Sequence, residues 1–257
     1  MSQKAYQCAS LGGKTALVTG ANRGIGAHLS NFLDAAGVQV VAAARRVESL
    51  QALPGVAAGR VLPVAMDVTD AASVAAGVAA AVARFGRLDA LVNNAGIAWG
   101  GRALDMPLNE WDRVVATNLN GAFYAAQAAA QAMAAQDPPG GTIVSTASIL
   151  GFGTGMGVAA YAATKAGLVH LTRSLAVEWA RHGIRVNALA PGYFPTDMTD
   201  GFIDSEAGRA ALQAIPMRRF GQLQDLEGPL AFLMSDASAY VTGVVLPVDG
   251  GHLCRPL

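Results

Sequence analysis

The stretch Thr15–Gly26, TALVTGANRGIG, decides how the rest of the chain is interpreted. An apolar run at Thr15–Thr19 leads into a glycine-rich turn, and a helical pattern with apolar residues three and four apart follows directly. Glycines let a backbone approach a pyrophosphate, and a helix N-terminus offers unpaired N–H groups and a positive dipole end. The alternative is a tight turn with a purely structural role. The position of the glycine-rich turn directly after a first strand favours a nucleotide site, formed by Gly20, Asn22, Arg23, Gly24, Ile25 and Gly26.

Short apolar runs alternate with helical patterns from this point onward. We predict further strands at Val38–Ala42, Val61–Ala65, Ala90–Asn93, Thr142–Ser145, Ile184–Ala188 and Val244–Val248. Apolar strands joined by helices form a parallel sheet covered on both faces, and right-handed crossovers limit the topology. The predicted fold class is therefore α/β, a doubly wound parallel sheet of the Rossmann type, in a single domain over residues 1–257.

One irregular stretch interrupts this alternation. Residues 191–216 are rich in Gly, Thr and Asp and are long for a loop in a compact domain, so we predict a substrate-loop insertion there. The substrate pocket is expected at the carboxyl ends of the strands, with apolar candidate linings that could equally belong to the core. These candidates are Trp99, Ile149, Phe152, Met156, Tyr193, Phe194, Met198 and Phe202.

Composition excludes several classes of function. The 257 residues carry 18 Lys and Arg against 18 Asp and Glu, so the chain lacks the cationic excess typical of nucleic-acid binding. Charged residues make up 14 %, against roughly 25 % in an ordinary soluble domain, and hydrophobic residues reach 53 %. This combination indicates that other subunits cover part of the surface.

The sequence shows no recognisable targeting segment and no metal-ligand spacing. No apolar run approaches the roughly 18 residues of a membrane span, and the N-terminus has no apolar core of a secretory signal. Cys8 and Cys254 lie near opposite ends without CxxC spacing, and the four histidines are scattered. We therefore expect a cytoplasmic protein with no metal ion and with neither a membrane nor a nucleic-acid partner.

The end of the second strand bears on which dinucleotide is bound. An acidic residue there accepts from the ribose 2′-hydroxyl of NAD, whereas an arginine pairs with the 2′-phosphate of NADP. Ala44 stands where the acid is expected, Arg45 follows it, and Arg23 in the glycine turn can reach the same region. These residues favour NADP, with NAD as the alternative. The competing interpretation is that Arg45 and Arg46 are a solvated strand end.

Tyr161 and Lys165 stand four residues apart in a helical pattern, which puts them on one helix face. Tyrosine has a pKa near 10, so acid–base work at neutral pH needs a shift of about three units. An ammonium group about 4 Å away supplies an interaction of that order at an intermediate dielectric constant. The pair is therefore a candidate proton donor and acceptor, although Tyr-x-x-x-Lys pairs are also common on helix surfaces.

Several further motifs occur in the order typical of one family. Thr19–Gly26 matches the pattern Thr-Gly-x-x-x-Gly-x-Gly, and Asn93–Gly96 reads Asn-Asn-Ala-Gly. Ser148 stands thirteen residues before Tyr161, and Asn118 lies between Thr and Leu. With these motifs the chain resembles the short-chain dehydrogenase/reductase family over nearly its whole length.

The resemblance implies hydride transfer between NADP(H) and a secondary alcohol or ketone. Tyr161 would act as general acid/base, Lys165 would lower its pKa and hydrogen-bond the nicotinamide ribose, and Ser148 would hold the substrate oxygen. Asn118 would anchor a water in a proton relay, and Thr196 would bond the carboxamide or a phosphate. Beyond the glycine turn, the implied cofactor-binding set is Arg45, Asp67, Val68, Asn93, Ala95, Gly96, Tyr161, Lys165, Pro191, Gly192 and Thr196.

Two branches of the family stay open as substrate classes. The 3-oxoacyl-thioester reductases share the motif set and the NADP preference, and the gluconate 5-dehydrogenase-like members resemble this chain at Pro191–Phe194 and at Ile215–Leu226. A non-catalytic NADP-binding sensor is the alternative from a different class, but such relatives commonly lose a catalytic residue and all four are present here. The family also implies a homotetramer.

Overall fold

A computed structural model describes residues 10–254. Seven strands form one sheet in the order β3-β2-β1-β4-β5-β6-β7. Their bounds are β1 Thr15–Thr19, β2 Gln39–Ala44, β3 Val61–Ala65, β4 Ala90–Asn93, β5 Gly141–Thr146, β6 Ile184–Pro191 and β7 Val245–Val248. Every pairing between neighbouring strands is parallel. The predicted fold class, a single doubly wound α/β domain, is confirmed.

Helices connect the strands and cover both faces of the sheet. Their bounds are α1 Gly24–Ala35, α2 Pro54–Ala57, α3 Ala71–Phe85, α4 Leu108–Val115, α5 Gly121–Ala135, α6 Ala159–Trp179, α7 Glu206–Ala214 and α8 Glu227–Met234. Ala16 and Val18 of β1 pack into one core cluster together with α1 and α8, whereas Leu17 packs into the other together with α3, α5 and α6. Successive strand residues point to opposite faces, so a strand buried on both sides is apolar throughout.

The predicted strands agree with the observed ones to within a few residues. The largest difference is at β6, which continues from the predicted end at Ala188 to Pro191. Pairing with β7 causes the extension, because Ala188 lies opposite Val245 and Pro191 lies opposite Val248. The strand therefore ends three residues later than predicted, at the first residue of the predicted substrate loop.

The predicted insertion at 191–216 is not irregular throughout. It contains helix α7, whose N-cap Ser205 accepts a hydrogen bond from the Gly208 backbone N–H at 3.0 Å. A serine cap followed by alanine-rich sequence is a helix-start signal that the Gly, Thr and Asp content concealed. Below, "the substrate loop" means the predicted residues 191–216, which include this helix.

The structure also bears on the expected absences. Within residues 10–254, no helix is long and apolar enough to cross a membrane. The same part of the chain has no group of three or more His, Cys, Asp or Glu side chains placed to hold a metal ion. Cys254 is exposed and not in a disulfide, while Cys8 lies outside the described residues.

Candidate active site

A cavity of about 480 Å³ opens at the carboxyl ends of β1, β2 and β4. The chain crosses from β1 to β2 on one side and later returns to β4 on the other, so the cavity lies at the switch point of a doubly wound sheet. Of the sequence-predicted residues, the cavity is lined by Gly20, Asn22, Arg23, Gly24, Ile25, Arg45, Asp67, Val68, Ala95, Gly96, Tyr161, Lys165 and Thr196. Residues far apart in the sequence thus meet at one site.

The glycine turn is packed too tightly for side chains. Gly20 has φ +65°, and a Cβ at Gly26 would lie 2.2 Å from the carbonyl oxygen of Gly20. Helix α1 begins at Gly24 with no side-chain hydrogen bond at its N-cap, Arg23, and no acidic residue in its first turn. Its first N–H groups and its dipole therefore face the cavity without competition from a carboxylate, which suits a pyrophosphate.

A buried hydroxyl joins the turn to the end of β4, and sequence analysis missed it. Thr19 Oγ1 accepts hydrogen bonds from the backbone N–H groups of Asn94 at 2.9 Å and Ala95 at 3.0 Å. The Asn94 amide donates to the carbonyl of Thr19 at 3.2 Å, and Thr146 Oγ1 donates to Asn94 Oδ1 at 3.3 Å. Thr19 and Asn94 both lie inside the matched motifs, and this was the sequence signal that could have indicated their contact. These residues hold the cavity floor.

Guanidinium groups surround one end of the cavity. Arg45 follows the buried Ala44 and is exposed to solvent, and Arg46 and Ser49 line the same end. Arg23 lies 3.6 Å from Asp197 of the substrate loop. The excess of positive charge at this end fits the phosphate that the sequence analysis expects there.

Asp67 at the end of β3 is held in its ionised form. Its Oδ1 accepts from the backbone N–H of Thr69 at 2.9 Å and from the Thr69 hydroxyl at 2.7 Å. The backbone hydrogen bond is the main reason that the pKa of Asp67 is lowered, and the positive charge of Arg45 adds to the effect. A fixed carboxylate is thereby placed beside the arginines.

Lys165 is buried at the inner end of the cavity. Its side chain is 3 % exposed, and Nζ donates to the carbonyl oxygen of Thr146 at 2.5 Å. Nζ also lies 5.4 Å from the centroid of the Tyr161 ring. Burial disfavours the ammonium form and lowers the pKa of Lys165 from 10.5 to about 8.

The pKa of Tyr161 departs from the sequence expectation in direction. The expectation was a lowered pKa, but burial of the phenol raises the pKa of Tyr161, and the hydrogen bond with Ser148 offsets this only in part. Desolvation disfavours the phenolate, while Lys165 lies beside the ring and donates one of its three ammonium hydrogens to the Thr146 carbonyl. The phenol is therefore protonated at neutral pH, which is the form of a proton donor.

Ser148 stands between β5 and the first turn after it. It is 7 % exposed, and its Oγ accepts from the backbone N–H of Leu150 at 3.1 Å, which fixes the side chain. Because the same hydroxyl bonds with Tyr161, the two predicted catalytic oxygens are neighbours. A substrate oxygen that reached both would be held and protonated at one place.

Asn118 lies in a π-helical turn, Ala116–Asn120, between α4 and α5. Its Oδ1 accepts from the Ile97 backbone N–H at 2.9 Å, and its Nδ2 donates to the Ile97 carbonyl at 2.8 Å and to Thr164 Oγ1 at 3.2 Å. Such single-turn bulges are frequent at functional sites. The amide ties the segment after β4 to helix α6, so it fixes the helix that carries Tyr161 and Lys165.

Some predicted residues lie behind the cavity wall instead of lining it. Asn93 is 4 % exposed and donates to the carbonyl of Ala122 at 2.7 Å, so it joins β4 to α5. A Cβ at Gly192 would lie 2.9 Å from the Cα of Asp249, so this glycine packs against the end of β7. The predicted residues outside the lining are Gly26, Asn93, Asn118, Ser148, Pro191 and Gly192.

The apolar candidates divide into buried and exposed ones. Phe194 is 4 % exposed and belongs to the core cluster, so it anchors the substrate loop and is not available to a substrate. Tyr193 stacks on Phe202 at a ring-centroid distance of 5.1 Å. Phe152 and Met198 are about half exposed, and Met156 is fully exposed.

A doubly wound sheet with a glycine turn at its switch point, next to a Ser–Tyr–Lys group, defines a dinucleotide-dependent oxidoreductase. Residues 20–252 match a family model described as enoyl-(acyl carrier protein) reductase. Together with the relatives below, this match shows that the chain belongs to the short-chain dehydrogenase/reductase family, as its motifs indicated.

The chain is similar to curated and solved members along almost its whole length. It is 41 % identical over 252 residues to the 2-dehydro-3-deoxy-D-gluconate 5-dehydrogenase of Dickeya dadantii, covering 96 % of this chain and 98 % of that one. It is 40 % identical to the 3-oxoacyl-[acyl-carrier-protein] reductase of Escherichia coli, covering 93 % and 97 %. A crystal structure of a gluconate 5-dehydrogenase from Burkholderia cenocepacia, in complex with NADP and tartrate, superposes with TM-score 0.93 at 35 % identity, covering 98 % and 100 %.

Proposed function

We propose that this protein interconverts a ketone and a secondary alcohol with NADP(H) as the redox partner. The observation that carries the proposal is the group of Ser148, Tyr161 and Lys165, in which Ser148 bonds with Tyr161 and the latter two residues line a nucleotide-sized cavity. NADP is favoured over NAD because the outer end carries Arg23, Arg45 and Arg46.

The cofactor is held along the carboxyl ends of the strands. The glycine turn and the N-terminus of α1 take the pyrophosphate, and Arg45 pairs with the 2′-phosphate. Asp67 and Val68 flank the adenine, while Ala95 and Gly96 form the floor, supported from behind by Asn93. Pro191, Gly192 and Thr196 complete the nicotinamide end.

The chemistry combines one hydride with one proton. Bound NADPH supplies the hydride to the carbonyl carbon. Tyr161 donates its phenolic proton to the carbonyl oxygen, and Ser148 holds that oxygen through its hydroxyl. Lys165 hydrogen-bonds the nicotinamide ribose, and its positive charge favours the phenolate left on Tyr161. Asn118 supports the water through which that proton is replaced.

The names of the relatives point to two substrate classes, sugar acids and acyl thioesters. The four predicted catalytic residues serve either class of substrate, since the group reduced is a ketone in both. The competing function, a sensor that binds NADP without turnover, is disfavoured because Asn118, Ser148, Tyr161 and Lys165 are all present.

We further propose a single functional domain over residues 1–257 with residues 191–216 as its substrate loop, a homotetrameric assembly and a cytoplasmic location. Support for assembly comes from exposed apolar side chains on the helical face that carries α4 and α6. Leu104 and Leu108 are more than 80 % exposed, and Val177 on α6 is 81 % exposed. Exposed apolar residues of this kind are typical of surfaces that another subunit covers.

The test measures oxidation of NADPH and of NADH by the protein with an uncharged ketone. We expect NADPH to be preferred, and we expect Arg45→Ala to reduce that preference by about tenfold or more, since a hydrogen bond to a charged group is worth about 1.5–3 kcal/mol. Arg84→Ala, remote from the cavity on α3, is the matched control and leaves the preference unchanged. A preference for NADH in the unmodified protein would refute the role given to Arg45.

A further inference from the structure

We infer that the substrate is an uncharged, largely apolar ketone or secondary alcohol, and not a carboxylic acid or a phosphate-bearing thioester. The inference rests on the proposed function and concerns the part of the site that takes the substrate. Three segments start at the carboxyl ends of neighbouring parallel strands, the edge of the sheet at which Ser148 lies: residues 94–106 after β4, residues 147–158 after β5, and the substrate loop after β6.

The segment after β5 carries no charge at all. Residues 147–158 read ASILGFGTGMGV, without a Lys, Arg, Asp or Glu. Phe152 is 45 % exposed and Met156 is fully exposed, so the segment offers apolar surface directly after Ser148. Exposed aromatic and methionine side chains beside a catalytic group are suited to apolar ligand surface.

The segment after β4 offers one cation, and that cation is paired. Arg102 and Asp105 are the charged residues between positions 94 and 106, and they lie 3.6 Å apart. A backbone hydrogen bond of 2.9 Å from Gly101 to Gly157 joins this segment to the one after β5. The two segments therefore form one wall with no net charge.

The substrate loop is acidic. Residues 191–216 contain four carboxylates and one guanidinium, a net charge of minus three. Asp200 and Asp204 are exposed, and Arg209 donates to the backbone carbonyl of Asp204 at 2.9 Å. Asp197 is directed to Arg23 on the cofactor side, where it partly neutralises that arginine.

Both substrate classes suggested by the relatives' names are anionic. A sugar acid carries a carboxylate, and a carrier-bound thioester hangs on an arm with a phosphodiester. Sites that recognise such groups place arginine or lysine to pair with them. Here the three segments together carry two guanidinium groups and five carboxylates. Their net negative charge disfavours anions, whereas an uncharged ketone is indifferent to it.

The test compares 5-oxohexanoate with its methyl ester, which has the same reacting carbonyl and no charge. The readout is kcat/KM with saturating NADPH at near-neutral pH and low salt. We expect the ester to be preferred by about tenfold or more, and we expect the preference to shrink as added salt screens the carboxylates. Salt dependence separates charge repulsion from the greater apolarity of the ester.

A double variant tests whether the carboxylates of the substrate loop cause the preference for the ester. Asp200→Asn with Asp204→Asn raises kcat/KM for the acid by about threefold and leaves the ester unchanged, because two repelling charges are removed. Asp236→Asn is the matched control, since its carboxylate is 80 % exposed and pairs with Lys14, away from the loop. An unchanged acid-to-ester ratio in the double variant would overturn the role of the loop.

The outcomes distinguish the inference from the proposed function. Turnover of both compounds with the acid equal or preferred contradicts the substrate class and leaves the ketone reduction standing. Binding of NADPH without turnover of either compound contradicts the proposed function, and the inference falls with it.

Discussion

The floor of the cofactor cavity and the substrate loop are built in opposite ways. The floor is held by hydrogen bonds between residues far apart in the sequence, such as Thr19 with Asn94 and Ala95, and Thr19 is completely buried. The loop is held by local bonds, such as Thr199 Oγ1 to the carbonyl of Phe194 at 2.7 Å and Ser205 Oγ to that of Phe202 at 2.6 Å. The first region is fixed by the whole fold, whereas the second can change without disturbing it.

Two buried side chains connect the loop to the body of the protein. Phe194 lies at its beginning and Ile215 at its end, and they are 4 % and 2 % exposed. A Cβ at Gly221 would lie 2.4 Å from the Phe194 ring, so the anchor is closely packed. Between these anchors, exposed residues such as Met198 are free to determine which substrate enters.

The largest effect is expected at the reacting hydroxyl. Tyr161→Phe removes the proton donor and keeps the ring, so kcat is expected to fall by about 10²–10⁴-fold while NADPH affinity changes little. Turnover and NADPH fluorescence titration measure the two effects. A variant that retained most of its activity would mean that another group protonates the substrate.

The floor is expected to be intolerant of a single methyl group. Gly26→Ala places a Cβ 2.2 Å from the Gly20 carbonyl oxygen, so the turn must shift. Overpacking of about 1–3 kcal/mol corresponds to NADPH binding that is weaker by about 5- to 150-fold. The matched control is Gly228→Ala, at an exposed helix position where the new Cβ meets nothing within 4 Å. If both variants bound NADPH like the unmodified protein, the close packing of the turn would not matter for binding.

The anchors of the loop and its middle should respond differently. Phe194→Ala is expected to lower the free energy of unfolding by about 3–5 kcal/mol, because it leaves a cavity in the core. Met198→Ala, at a half-exposed position, is expected to leave stability nearly unchanged and to alter kcat/KM among ketones of different size. Denaturant unfolding measures the stability of both variants, and kcat/KM for a series of ketones measures their substrate preference. Equal stability losses would remove the distinction between anchor and middle.

A pH-dependent effect on stability follows from the buried amine of Lys165. Lys165 has a pKa of about 8 in the folded protein and 10.5 as its ordinary value, so the unfolded chain binds more protons between these pH values. The free energy of unfolding therefore rises with pH between about 8 and 10.5. Activity falls over the same range, because the ammonium form of Lys165 is lost. The stability advantage expected of Lys165→Met is complete below pH 8 and disappears towards pH 10.5. Denaturation curves of the unmodified protein and of Lys165→Met at several pH values check this. A difference in unfolding free energy that did not change with pH would contradict the lowered pKa.

The sequence predicted the sheet and the cofactor side of the site well. Strands buried on both faces are continuous apolar runs, and the glycine turn has a fixed spacing, so both are local signals. Helix α7 was missed because glycine, threonine and aspartate dominated the segment around it. The roles of Thr19 and Asn94, and the raised pKa of Tyr161, depend on burial and long-range contacts that spacing does not contain. Phe194, offered as a pocket residue, belongs to the core for the same reason.

The most direct test of the account follows a labelled hydrogen. NADPH deuterated on the transferable face of its nicotinamide is incubated with the protein and an uncharged ketone, and the alcohol is analysed by mass spectrometry. We expect one deuterium on the carbinol carbon of each product molecule, and almost no product with Tyr161→Phe. Tight binding of NADPH with no labelled alcohol from any ketone supplied would contradict it and would favour a sensor that binds the dinucleotide without using it.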